Sequence, residues 1–155
     1  IEKGGGHNMA AGFTIKKSKL NSLNEFIQKD YNNKIIDADL SYKYESEIST
    51  SSINKRFIDE INKLGPFGNH NYLPIFLIKN VKIIKSNIIN RKHVSAIIKP
   101  NIGSTLKSIC FNCINTQIGE YLLSYKKNIN IVAEINENIW NNKKSIQLNI
   151  KDLVL

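Results

Sequence analysis

From about residue 73 onward the apolar residues of this chain recur at every second position, and no other feature limits its possible folds as much. Val81 and Ile83 alternate with lysines; Ile129, Ile131, Ala133 and Ile135 alternate with polar neighbours, and so do Ile146, Leu148 and Ile150. Successive side chains of a strand point to opposite faces, so this period is that of strands with one face buried. Strands are expected over residues 75–89 (long, and bent), 93–99 and 106–113, with a turn at 100–103, and two more around 129–135 and 146–150. Residues 119–123 fit a short helix. Short strands separated by turn signals predict a small barrel or sandwich.

The first half reads differently. Leu20, Leu23, Phe26, Ile27 and Tyr31 recur at helical spacing, which predicts an amphipathic helix over 19–31 with Ser18 as its N-cap and Asn32-Asn33 as its end. Residues 35–44 alternate as a strand. The Ser/Thr-rich stretch 46–52 is expected to cap a second helix carrying Ile53, Phe57, Ile61 and Leu64 on one face, closed by Gly65-Pro66. Five or six strands interrupted by one helical segment fit an OB-like barrel, so the fold class is mainly β with helices (α+β). A length of 155 residues suits one domain, or one small domain with part of another.

The charge is unevenly distributed. The 22 basic residues outnumber the 13 acidic ones, for a formal net charge of +9. Residues 61–119 contain no acid, yet carry Lys63, Lys79, Lys82, Lys85, Arg91, Lys92, Lys99 and Lys107. A one-sign stretch of this kind is the footprint of a polyanion. Lys82, Lys85, Arg91 and Lys92, clustered along one expected strand and its turn, are the chosen phosphate contacts, with His93 beside them. Of the aromatic residues Phe67, Tyr72, Phe76, Phe111, Tyr121, Tyr125 and Trp140, any on a barrel face could stack on bases; Tyr72, in a polar loop, is the one expected to be exposed.

Near the start stands Gly4-Gly5-Gly6-His7-Asn8-Met9-Ala10-Ala11-Gly12-Phe13. Consecutive glycines can take positive φ and let a ligand approach their amides, which makes a cradle for phosphate with the His7 imidazole beside it. Cys110-Phe111-Asn112-Cys113 has C-x-x-C spacing, but a structural zinc site needs four ligands; strand alternation would send the thiols to opposite faces, and two ordinary reduced thiols are the favoured reading. No apolar run is long enough to cross a membrane as a helix, and no membrane partner is expected.

The glycine–histidine string resembles the signature of the DHH-associated domain of DHH-type phosphodiesterases. Further on, Leu64-Gly65-Pro66-Phe67-Gly68-Asn69-His70-Asn71-Tyr72-Leu73-Pro74 resembles the segment leading into the OB-type domain of the RecJ family, single-strand-specific 5′→3′ DNA exonucleases. Arg91-Lys92-His93-Val94, Ile109-Cys110-Phe111-Asn112 and Asn136-Glu137-Asn138-Ile139-Trp140 with Ser145-Ile146-Gln147-Leu148 resemble its later strands, in the same order. The family usually has glycine where His70 stands and proline where Tyr72 stands, so a different loop backbone is expected there. The resemblance implies that residues 1–34 are the C-terminal end of a DHH-associated α/β domain, and residues 35–155 a connecting helix and an OB-type nucleic-acid-binding domain. It implies that Gly4, Gly5, Gly6 and His7 hold a substrate phosphate, His7 in support of catalysis. It also implies single-stranded DNA as partner and DNA repair and recombination as setting; the two cysteines and the lack of a signal-peptide pattern fit a reducing cytoplasm. Cleavage in that family depends on an N-terminal DHH domain holding Mn2+ or Mg2+. This chain has none of that domain's motifs, so it is expected to bind no cofactor, to be inactive alone, and to be the C-terminal part of a longer or split protein. A stand-alone single-strand-binding fragment, a DHH-type phosphodiesterase acting on short oligonucleotides, and a protein-interaction barrel are the alternatives.

Overall fold

A computed structural model of the chain describes residues 1–7, 10–34, 43–124 and 128–154. The chain divides into two compact units, Ile1–Ser41 and Tyr42–Leu155.

In the first unit, β1 (Lys3–His7) pairs antiparallel with β2 (Ala10–Thr14), Gly5 opposite Gly12 and His7 opposite Ala10. A 3-10 turn over Lys17–Lys19 leads into α1 (Leu20–Lys34). That turn is entered from Lys16 with no side-chain cap, so Ser18 lies inside it instead of capping the helix. α1 also continues through Asn32 and Asn33, since asparagine lowers helix propensity only mildly and neither Gly nor Pro is present to stop it. The strand expected over residues 35–44 falls almost wholly on residues outside those described.

The second unit begins with β3 (Ser46–Glu47), followed by α2 (Lys55–Asn62). The Ser/Thr stretch forms its own 3-10 turn, Thr50–Ser52, capped by Ser49. The cap of α2 is instead Asn54, whose side chain accepts a hydrogen bond from the Phe57 amide at 3.1 Å. Five strands then close a ring: β4 (Ile75–Ile89), β5 (His93–Pro100), β6 (Leu106–Cys110), β8 (Lys143–Val154) and β7 (Ile129–Trp140), with β7 returning to pair with the first half of β4. α3 (Gln117–Ser124) lies between β6 and β7 in sequence. β6 and β8 run parallel and the other ring pairs antiparallel. This is an OB-like barrel in an α+β chain.

β4 serves two neighbours because it bends. Its register shifts between Ile78 and Val81 against β7 and between Ile83 and Lys85 against β5, bulges of the kind that turn a barrel corner. Asn141 and Asn142, at φ 47° and 59°, make the two-residue connection between the paired Trp140 and Lys143; two successive left-handed residues give the turn whose twist suits a hairpin. The core is built from the inward alternation: Ile78, Val81, Val94, Ile98, Leu122, Ile131 and Leu148 are fully buried. Ser108 is buried among them and donates to the Ala96 carbonyl at 2.9 Å. Among the described residues no buried side-chain nitrogen or oxygen lacks a hydrogen-bond partner.

Candidate nucleic-acid interface

The three glycines of the first unit do not form a cradle of positive-φ amides. They are extended β backbone, and the only glycine with positive φ among the described residues is Gly103. What the hairpin offers is a bare face. Lys3, Gly5 and His7 share one side of β1, with Thr14, Gly12 and Ala10 opposite them, and a Cβ on Gly5 or Gly12 would meet nothing within 4 Å. Gly6 is required for a different reason. A Cβ there would lie 2.7 Å from the Ala10 carbonyl oxygen and from the Ala11 Cα. Gly6→Ala is therefore expected to separate the strands at their His7–Ala10 end, and Gly5→Ala to leave the pairing intact. Backbone amide chemical shifts over residues 3–14 check this; equal disturbance by the two substitutions would show that strand approach is not what Gly6 provides.

In the second unit, strand register decides which lysines share a face. Lys82 on β4 stands directly opposite Lys99 on β5, and Lys85, Ile97, Lys107 and Gln147 form the next row across β4, β5, β6 and β8. The neighbours of these residues, Val81, Ala96, Ile98 and Ser108, are buried, so alternation turns Lys82, Lys85, Lys99 and Lys107 outward together, and all four are exposed. Like charges directly opposed across a strand pair are destabilising, so the Lys82–Lys99 opposition carries a small energetic cost. Arg91 and Lys92 sit at one end of the face, in the β4–β5 turn, where Asn90 and Arg91 take φ 50° and 56°.

Ion pairing occupies several other cations of this unit, although Lys43, Arg56 and Lys143 also have no carboxylate partner among the described residues. Lys63 binds Glu60 at 2.8 Å, Lys79 binds Glu47 at 2.6 Å, Lys144 binds Glu137 at 2.8 Å and Lys151 binds Glu134 at 3.0 Å, while Lys55 reaches Asp59 at 2.7 Å and Glu137 at 3.4 Å. The hydrogen bond from Lys144, with that from Lys55, holds the Glu137 carboxyl below its ordinary range, and the hydrogen bond to Glu47 raises the Lys79 ammonium. Among the described residues, Lys82, Lys85, Arg91, Lys92, Lys99 and Lys107 have no carboxylate partner. The charge asymmetry of the sequence points to this region. It does not single out Lys99 and Lys107, because only the strand register shows that they flank Lys82 and Lys85.

Tyr72 is 67% exposed. It stands in the loop that precedes the buried first half of β4. His70 takes φ 65°, a left-handed conformation that glycine adopts without strain and other residues adopt less readily. Phe76 is buried and packs at 5.4 Å from Phe57, and Phe67 packs against the core. Phe111 is 53% exposed, its ring 5.2 Å from that of His93. His93 Nδ1 accepts a hydrogen bond from the Asn112 amide at 2.9 Å.

Cys110 and Cys113 do not point to opposite faces. β6 ends at Cys110, and Cys113 follows a turn in which Asn112 has φ 52°, so strand alternation no longer governs it. Both thiols are free and buried, and the Cys113 Sγ donates to the Cys110 carbonyl at 3.3 Å. Burial first, then the hydrogen bond with Cys113, pushes the Cys110 thiol up to about 12, which disfavours the thiolate that metal binding or nucleophilic chemistry requires. Among the described residues no three His, Cys, Asp or Glu side chains group as metal ligands. That donor set does not fit a divalent-metal centre, and no metal-dependent step can be built from it. No described helix is long and apolar enough to span a membrane.

Comparison with known proteins agrees with the fold. Residues 44–152 match the family model described as the RecJ OB domain. The chain is 33% identical over 152 residues to the single-stranded-DNA-specific exonuclease RecJ of Bacillus subtilis (strain 168), covering 96% of this chain and 19% of that protein. It thus spans about a fifth of the length of that relative. Among solved structures it resembles RecJ from Thermus thermophilus in complex with Mn2+, with a TM-score of 0.64 and 18% identity over 97% of this chain and 21% of the other. The same organism's RecJ in complex with Mg2+ gives a TM-score of 0.64 and 16% identity over 99% of this chain and 23% of the other. Likeness at that identity concerns the fold.

Proposed function

This chain belongs to the RecJ OB domain family, and from that premise we propose that it is the C-terminal substrate-binding portion of a single-stranded-DNA-specific 5′→3′ exonuclease of DNA repair and recombination in the cytoplasm. The observation that carries the reading is the face bearing Lys82, Lys85, Lys99 and Lys107, unpaired and exposed, with Arg91 and Lys92 at its end. Outward faces of the second and third OB strands, with the loops beside them, suit oligonucleotides, and cations there contact the phosphates of a strand whatever its bases. The face guides the strand toward an N-terminal DHH catalytic domain, in the same or a separate chain. That domain holds the Mn2+ or Mg2+ that supplies the cleavage chemistry. On the hairpin, the bare Gly4–Gly6 backbone and His7 receive one phosphate of the strand near that centre.

Fluorescence-anisotropy titration of the chain with labelled single-stranded and duplex oligonucleotides tests the binding role. Tight, sequence-tolerant, salt-dependent binding of the single strand is expected, without hydrolysis when Mn2+ is added. Equal affinity for duplex, or no binding at low salt, would overturn it.

A further inference from the structure

At the Arg91 end of the lysine face, the turn after β6 is fixed to the β4–β5 turn by two links. The Asn112 amide donates to His93 Nδ1 at 2.9 Å, and the Ile114 amide donates to the Lys92 carbonyl at 3.3 Å. The turn can make both because Asn112 and Asn115 are left-handed, at φ 52° and 64°. Its outward residue is Phe111. A phenyl ring half in water gains little by burial where it stands, yet this one is held in place, edge-on to the His93 ring at an interplanar angle of 75°. Beside it opens a cleft of about 320 Å³ whose lining includes Phe111, Asn112, Thr116, Asn149 and Lys151, within the range of small-ligand sites. Arg91 and Lys92, in the β4–β5 turn to which this turn is linked, have no carboxylate partner among the described residues.

We propose that Phe111 is a base-stacking platform that takes one nucleobase of the bound strand into this cleft, and that His93 is its positioning residue. The proposal rests on the strand-binding reading above and adds to it the residue that holds a base. An acceptor at Nδ1 leaves the ring proton on Nε2, so in this geometry His93 is a neutral anchor for the Phe111–Asn112 turn and does not act as a phosphate-binding cation. The phosphates on either side of the stacked base then fall to Arg91, Lys92 and the lysine face.

The test is made on the full chain with oligo(dT). Phe111→Ala is expected to weaken binding about fivefold to a hundredfold, the worth of one stacked base. His93→Ala should weaken it similarly. His93→Asn, which offers an amide oxygen near the place of Nδ1, should restore most of the loss, and His93→Ala should add little when Phe111 is already alanine. In a Trp140→Phe background, Phe111→Trp should lose fluorescence on binding oligo(dT) but not on binding an abasic oligonucleotide of the same length. Wild-type binding that Phe111→Ala leaves unchanged, with no quenching of Trp at that position, overturns this inference alone and leaves Phe111 as a protein-contact residue. Absence of wild-type binding overturns the strand-binding reading and this inference with it.

Discussion

Replacing Lys82, Lys85, Lys99 and Lys107 together by glutamine is expected to reduce the affinity of the chain for single-stranded DNA by two to three orders of magnitude at about 0.1 M salt. Each phosphate neutralised on a single strand contributes about −0.7 to the slope of log affinity against log salt. If these four lysines and Arg91 and Lys92 each meet one phosphate, the wild-type slope is about −4, and the variant keeps only the Arg91 and Lys92 share, about −1.4. The folded barrel should persist, because all four side chains are exposed and point away from the core; such surface changes usually stay within about 0.5 kcal/mol. Removing the Lys82–Lys99 opposition even relieves a small repulsion. The control changes net charge equally: Lys55, Lys63, Lys79 and Lys144, each within 4 Å of a carboxylate, replaced by glutamine. That set should move the slope by less than one contact's worth, about 0.7. Equal effects from the two sets would mean that only net charge matters, and the face would lose its assignment.

Much of the barrel is legible in the sequence because alternation survives wherever one side of a strand is buried. The β7–β8 pair follows the expected period, and the long 75–89 strand appears with its bend. Alternation cannot show where it is interrupted. The extra residue in β4 between Ile83 and Lys85 keeps Lys85 on the outward face with Lys82 although an odd number of positions separates them. Lys99 joins them only by pairing with Lys82, 17 residues away in sequence, and Lys107 only through Ile97, which pairs with Lys85. The expectation for the thiols fails for a similar reason, since a left-handed Asn112 ends β6 three residues earlier than its apolar composition suggests. The helix caps differ from expectation because serine and threonine can serve a local 3-10 turn as readily as a helix, and Asn54 stands closer to α2. The glycine motif is visible in the sequence as a motif, but its backbone is not. Glycine permits positive φ without requiring it, and here pairing with β2 holds the strand extended.

Gly119 shows the same ambiguity with the largest consequence for stability. By helix propensity alone, Gly119→Ala in α3 should stabilise the protein by about 1 kcal/mol. Packing reverses the sign. Gly119 is buried, and a Cβ there would lie 2.0 Å from the Cys113 carbonyl oxygen and 2.9 Å from the Cys113 carbonyl carbon. The obstacle is backbone, so no rotamer change relieves it. The Cys113 carbonyl also cannot yield alone: it accepts hydrogen bonds from the Thr116 hydroxyl at 2.7 Å and the Thr116 amide at 3.1 Å, and Thr116 in turn caps α3 by accepting from the Gly119 amide at 3.3 Å. Accommodating one methyl group means moving the whole 111–116 turn or tilting α3, whose Leu122 is fully buried in the core. We therefore expect Gly119→Ala to destabilise the chain by about 3 kcal/mol or more, measured by urea denaturation. Gly68→Ala, where a Cβ would meet nothing within 4 Å, should be close to neutral. Because the displaced turn carries Phe111 and Asn112, any Gly119→Ala protein that remains folded should also bind oligo(dT) as weakly as Phe111→Ala. A folded Gly119→Ala chain with wild-type stability would mean that α3 does not sit against the Cys113 carbonyl, and the account of how this turn is held would be wrong.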